Sequence, residues 1–187
     1  MFEVVPWSSD LDLSEFYATA AKKGFHNNAS QKMLVDCFNN EREHQTWILF
    51  YNEKAIGSVA AHTFDEMGAD SYRIAARTCV FTDQLSGPYR SALRGSRVIT
   101  ENQNPTAQFL IPACIEWVPP WARVYITSNE NSVGTQQRVH RTFGPLMQET
   151  GQMNKVAEIF YRGTNQTVWE LNVKRFYEVL NTHPRWI

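Results

Sequence analysis

The chain has 187 residues, 43% of them apolar or aromatic, and a formal net charge of −1. That length fits one domain spanning 1–187, and the apolar share suffices for a core without disulfide or metal staples. The near-zero charge and the lack of a basic run exclude a dedicated nucleic-acid face, and no apolar stretch approaches the roughly 20 residues of a membrane-spanning helix.

Met1–Pro6 lacks the charged and apolar regions of a secretory signal. Cys37, Cys79 and Cys114 are far apart and odd in number, with no Cys-x-x-Cys and no His pair at metal-ligand spacing. These features point to a cytoplasmic protein with free thiols and no metal. In the absence of a signal, Asn28-Ala29-Ser30 and Asn165-Gln166-Thr167 read as chance glycosylation matches.

In chain order, Phe2–Val5 is a short strand ended by Pro6. Asp12-x-x-Glu15 has the form of a capping box, and Leu13, Phe16, Tyr17 and Ala20 share one helical face. Gly24 suits the C-cap, and Asn28-x-x-Gln31 could cap a second helix, with Met33, Leu34, Cys37 and Phe38 on one face. Trp47–Tyr51 and Ala55–Phe64 are strands joined by the turn Asn52-Glu53-Lys54. Ser71–Phe81 is a further strand.

Tyr89–Ile99 is expected to be helical behind Pro88, as is the segment from Asn104-Pro105 to Trp117, with Pro112 kinking or restarting it. Arg123–Thr127 is a strand and Asn131–Met147 a helix. Val156–Tyr161 and Thr167–Leu171 are paired strands, and Val173–Leu180 is a last helix.

This order, carried by the 46–64 hairpin and the helix–strand–helix segment after it, resembles the GNAT family of acyl-CoA N-acyltransferases over nearly the whole chain. The resemblance implies an α/β (α+β) fold: a mixed, mostly antiparallel central sheet of about seven strands, flanked by helices. It also implies that the fourth and fifth strands, Ser71–Phe81 and Arg123–Thr127, splay apart to hold an extended pantetheine arm.

The family's pyrophosphate loop is Gln or Arg, two residues, Gly, one residue, then Gly or Ala. Its backbone N–H groups and the following helix start cradle phosphate. Gln84-Leu85-Ser86-Gly87-Pro88-Tyr89 matches its first four positions, while Pro88 removes a donor and Tyr89 stands at a small-residue position. An ordinary turn is the other reading of this segment. Asn131 lies twelve residues before Phe143, at the spacing of the family's cofactor-side Asn. The family's proton-donating Tyr is replaced by Arg138 and its Gly by Thr142, and an arginine is no useful acid near neutral pH.

The resemblance thus implies cofactor-binding roles for Val80, Phe81, Gln84, Ser86, Gly87 and Asn131, with backbone N–H groups near Val80 polarising a thioester carbonyl. Asp83 is a candidate base, beside a plain reading as a turn carboxylate. His140 is a candidate acid or base, beside a reading as a packed histidine, because its spacing to Val133 and Phe143 puts it on the apolar face. His62, Glu116 and Cys79 have weaker claims than their structural readings. Trp117, Trp121 and Trp186 could line a binding surface.

The expected activity is transfer of an acyl group from acetyl-CoA to an amine by direct attack. Expected partners are a coenzyme A thioester, a small-molecule or protein amine and a second copy of the chain, with no nucleic acid and no membrane. The alternative is a GNAT-fold binding or interaction protein without turnover, favoured by Pro88, Tyr89 and Arg138. A third reading, with aminoacyl-tRNA as donor, is opposed by the lack of a basic face.

Overall fold

Aromatic and β-branched residues with both faces covered place the 44–63 hairpin inside the sheet and away from its edges. In the computed structural model, which describes residues 1–85, 104–129, 131 and 143–182, β1 is Phe2–Pro6, β2 His44–Tyr51 and β3 Lys54–Thr63. β4 is Ser71–Val80, β5 Arg123–Ser128, β6 Met153–Tyr161 and β7 Thr164–Leu171. They form one seven-stranded sheet in the order β1-β2-β3-β4-β5-β7-β6, antiparallel throughout except for β4 beside β5. The expected sheet is therefore present.

The β2–β3 turn is tighter than expected. Asn52 and Glu53 both take positive φ, 48° and 65°, the pattern of a two-residue type I′ connection, so Lys54 already belongs to β3. Arg162 and Gly163 repeat the device between β6 and β7.

Helix α1 is Ser14–Lys22, α2 Gln31–Leu34, α3 Ile111–Trp117, α4 Gly144–Glu149 and α5 Val173–Leu180. The capping box does not form: Asp12 accepts the Ser14 N–H, and Glu15 turns instead to Lys54 at 2.6 Å. At the other end of α1, Gly24 takes φ +81° and the N–H of Phe25 reaches back to Ala20, which closes the helix as expected. Ser30, not Asn28, caps α2, and the chain then passes into a short 3₁₀ turn at Asp36–Phe38. Pro112 is met by a π turn over Thr106–Leu110, after which α3 restarts with Pro112 in its first turn. A wider turn there spares the ring a clash with the preceding carbonyls.

One sheet face carries Tyr72, Ile74, Val124, Ile126, Trp169 and Leu171 beneath the π turn, α3, α4 and α5. The other face packs Ile48, Cys79 and Phe81 against α1 and α2, with Phe38 over Ala60 and Ala76. Among the described residues no helix is long and apolar enough to cross a membrane.

Candidate functional site

The feature that shapes this site is the short contact between β4 and β5. They pair at only three positions, Ser71–Arg73 with Arg123–Tyr125. Beyond these, Ile74–Val80 and Ile126–Ser128 continue without pairing to each other. β4 bends in the same stretch. Its register against β3 shifts between Arg73 and Ala76 and again between Ala76 and Cys79.

Two bulges account for these shifts, with Ala75 at φ 58° and Arg77 at φ 52°. A left-handed non-glycine residue costs about 1–2 kcal/mol, and bulges bend a strand and re-aim its side chains. Local polar groups offset that cost. The Arg77 carbonyl accepts from Asn28 Nδ2 at 2.7 Å and from Ser58 Oγ at 3.0 Å. Thr78 Oγ1 donates to the Ala75 carbonyl at 2.6 Å.

At the far end of β4 the N–H of Phe81 donates to the Ile56 carbonyl at 2.7 Å. The opposed pair Gly57–Val80 is therefore of the narrow kind, and Val80's own N–H and C=O turn away from β3, toward the side that β5 has left. Gly57 makes this approach feasible: a Cβ there would lie 2.7 Å from the Cys79 carbonyl oxygen and 3.2 Å from Val80 Cγ2. Gly57→Ala should destabilise the protein by about 1–3 kcal/mol, seen as a lower urea midpoint with unchanged slope. A silent substitution would show that β3 and β4 spread freely at this point.

A buried polar cluster lies on the α1/α2 face, beside the point where the strands part. Arg73, the last paired residue of β4, is 4% exposed. Its Nε donates to Thr127 Oγ1 on β5 at 2.8 Å, and Nη1 faces His62 Nε2 on β3 at 3.2 Å. His62 is fully buried and its Nδ1 lies 2.7 Å from the Thr63 carbonyl. That contact needs the proton on Nδ1, leaving the Nε2 lone pair to accept from Arg73. Burial first, and the Arg73 charge second, push this imidazole down to about 3, so it is neutral near pH 7.

Glu41 Oε1, 3.7 Å from His62 Nδ1, therefore forms no ion pair with it and instead binds Arg162 at 2.8 Å. Arg73 lies over the Tyr161 ring at 5.3 Å, while Arg77 and Arg162 flank Phe38. Burial pulls Arg73 down to about 10, which leaves it charged at neutral pH.

No protein-family model and no curated protein matches this sequence. Solved structures do. An aminoglycoside N-acetyltransferase, AAC(6')-Ib11, superposes with a TM-score of 0.57 at 9% identity, over 94% of this chain and 99% of that one. The complex of aminoglycoside acetyltransferase AAC(6')-Ib with coenzyme A gives 0.56 at 12% identity, over 95% and 98%. A GNAT-family protein from Desulfovibrio desulfuricans gives 0.54 at 13% identity, over 91% and 98%. The fold is the GNAT fold.

Within the GNAT frame the sequence-predicted residues distribute unevenly. Val80 borders the gap. Phe81 gives its N–H to β3 and its ring to the α1/α2 core, 1% exposed. Gln84 closes a 3₁₀ turn, Thr82–Gln84, and its Oε1 is buried without a hydrogen-bond partner among the described residues. Asp83 lies at the surface, bonded to Lys23 at the end of α1 at 2.7 Å. Asn131 follows β5, its N–H held by Asn129 Oδ1 at 2.8 Å. Ser86, Gly87, Pro88, Tyr89, Arg138, His140, Thr142 and Trp186 lie outside the described residues, as does most of the expected 131–147 helix.

Burial pushes the Cys79 thiol up to about 11, as suits a packed structural thiol. Trp117 packs edge-on against Trp47 and Tyr72, whereas Trp121 is 76% exposed. The residue the sequence reading missed is Arg73. The available signal was a single charge inside the otherwise apolar run Tyr72–Ala76, on a strand that the structure covers on both faces.

Proposed function

We propose that this protein is an acyl-CoA-dependent N-acyltransferase, with the acyl donor lying in the gap between β4 and β5. The observation that carries this reading is the Val80 backbone, whose N–H and C=O face that gap while β5 has withdrawn from it. An extended pantetheine arm can take the place of the missing strand and complete the ladder. Gln84 Oε1, buried without a partner among the described residues, is an acceptor suited to an amide N–H of such an arm. AAC(6')-Ib, of the same fold, has been solved with coenzyme A and kanamycin bound, which supports a donor of this kind and an amine acceptor.

The proposed reaction is direct. The nitrogen of a neutral amine attacks the thioester carbonyl carbon, the C–N bond forms and the C–S bond breaks. The amine gives up one proton and the departing thiolate takes one. Ser86 and Gly87 are proposed for the pyrophosphate and Asn131 for the cofactor side of the cleft. Asp83 and His140 are proposed as carriers of the amine's proton, directly or through water.

Thermal unfolding in the presence of acetyl-CoA tests this. At about a hundred times the dissociation constant, the native state should gain roughly 2.7 kcal/mol. No shift at millimolar acetyl-CoA would reject donor binding and leave the binding-module reading in its place.

A further inference from the structure

Arg73 is the anomaly of the described structure. A charge taken out of water is costly unless an opposite charge meets it. Yet among the described residues no carboxylate lies within ion-pair distance of this guanidinium, and the nearby Glu41 is bonded to Arg162. Two of Arg73's N–H groups are spent on Thr127 and His62, and the remaining ones have no partner among the described residues. His62 cannot balance the charge, because it is a neutral acceptor here. Two further guanidiniums, Arg77 and Arg162, lie over the Phe38 ring on the same sheet face, and of the three arginines only Arg162 has an ion-pair partner among the described residues.

The position matters as much as the charge. Arg73 is the last β4 residue paired to β5, and its bond to Thr127 crosses to β5 beyond their final paired position. The guanidinium is thus fixed on the α1/α2 face at the point where the gap begins. A planar fork held at two points, with donors to spare, suits an anion with two coplanar oxygens.

We propose that Arg73, braced across the parting strands by Thr127 and His62, receives the carboxylate of the acceptor, so that the acceptor is an amine that also carries a carboxylate, as amino acids do. This rests on the acyl-transfer reading, since it assigns the acceptor of that reaction. The acceptor's carboxylate supplies the counter-charge that the described residues lack, and its amine is held at a set distance from the anchor. The transfer itself is the one balanced above; Arg73 takes no proton in it.

Ligand-observed NMR on the full chain tests the assignment with two probe sets: the N-acetyl-L-amino acids, which are products of the proposed reaction, and the matching N-acetyl-L-amino-acid amides. The carboxylates should show saturation transfer and the amides should not, with at least one carboxylate binding roughly 30-fold or more tightly than its amide. Arg73→Lys, which keeps the charge but loses the fork, should weaken that carboxylate and narrow the difference. The comparison on the unaltered protein needs no variant to fold.

Equal binding of acids and amides would overturn the proposal. So would binding by neither set while acetyl-CoA still raises the unfolding temperature. Carboxylate binding without any effect of acetyl-CoA would keep the anion site and remove the acyl-transfer reading, so the two failures are distinct.

Discussion

Between pH 6.5 and about pH 3 the protein is expected to lose on the order of 4 kcal/mol of stability through His62 alone. Its imidazole titrates near 6.5 when unfolded and near 3 when folded, so the unfolded chain binds the extra proton first. The folded state is therefore fully favoured above pH 6.5 and loses this contribution as the pH falls toward 3. The physical cause is burial, followed by the Arg73 guanidinium, which would face an N–H on Nε2 in place of a lone pair.

Urea midpoints across this range measure the effect. Ordinary carboxylates titrate near pH 4, so the upper part of the window belongs to the histidine. His62→Gln keeps an acceptor for Arg73 and removes the titration, and it should flatten the curve from pH 6.5 to about 4.5. An equally steep acid limb in that variant would place the pH sensitivity elsewhere.

Replacing Phe81 by Ala should cost about 3–5 kcal/mol, yet leave acetyl-CoA affinity per folded molecule unchanged. The ring is packed between Phe16, with centroids 5.1 Å apart, and Phe25 at 6.0 Å, beneath the Lys23 ammonium. Truncation therefore opens a cavity in the α1/α2 core. The backbone N–H that holds the end of β4 to Ile56 survives the change. Chemical unfolding with a parallel titration of acetyl-CoA separates the two effects. A small stability loss, or a large loss of affinity in folded protein, would give the ring itself a part in donor binding.

Strand order was legible because apolar runs of β-branched and aromatic residues were broken by polar turns, as at Trp47–Tyr51 and Asn52-Glu53. Val173–Leu180 came out with the expected bounds, since its amphipathic pattern is strong and Asn172 caps it. The bulges of β4 were not legible. They sit on Ala75 and Arg77, and positive φ is ordinarily signalled by Gly or Asn.

Asn28 shows the same limit. As a cap it is a fair local reading, but it is buried on Ser58 and the Arg77 carbonyl, a demand set by two strands 30 and 49 positions away. Arg73 and His62 are eleven positions apart, with no motif to link them. Only the β3–β4 register brings them side by side.

The short seam between β4 and β5 bears on how the chain reaches this state. β2, β3 and β4 follow one another closely, so their contacts close small loops. Ser71 meets Arg123 across about fifty intervening residues, a closure with a larger entropic cost and little to reward it until many contacts form together. The β1–β2 and β5–β7 ladders close loops nearly as long, but with five and four paired positions against three at the seam, so sheet assembly should end there. The gap that the donor is proposed to occupy exists only once that last closure is made. A nascent chain that has emitted β1 to β4 holds Val80 and Arg73 but not the cleft between them and β5.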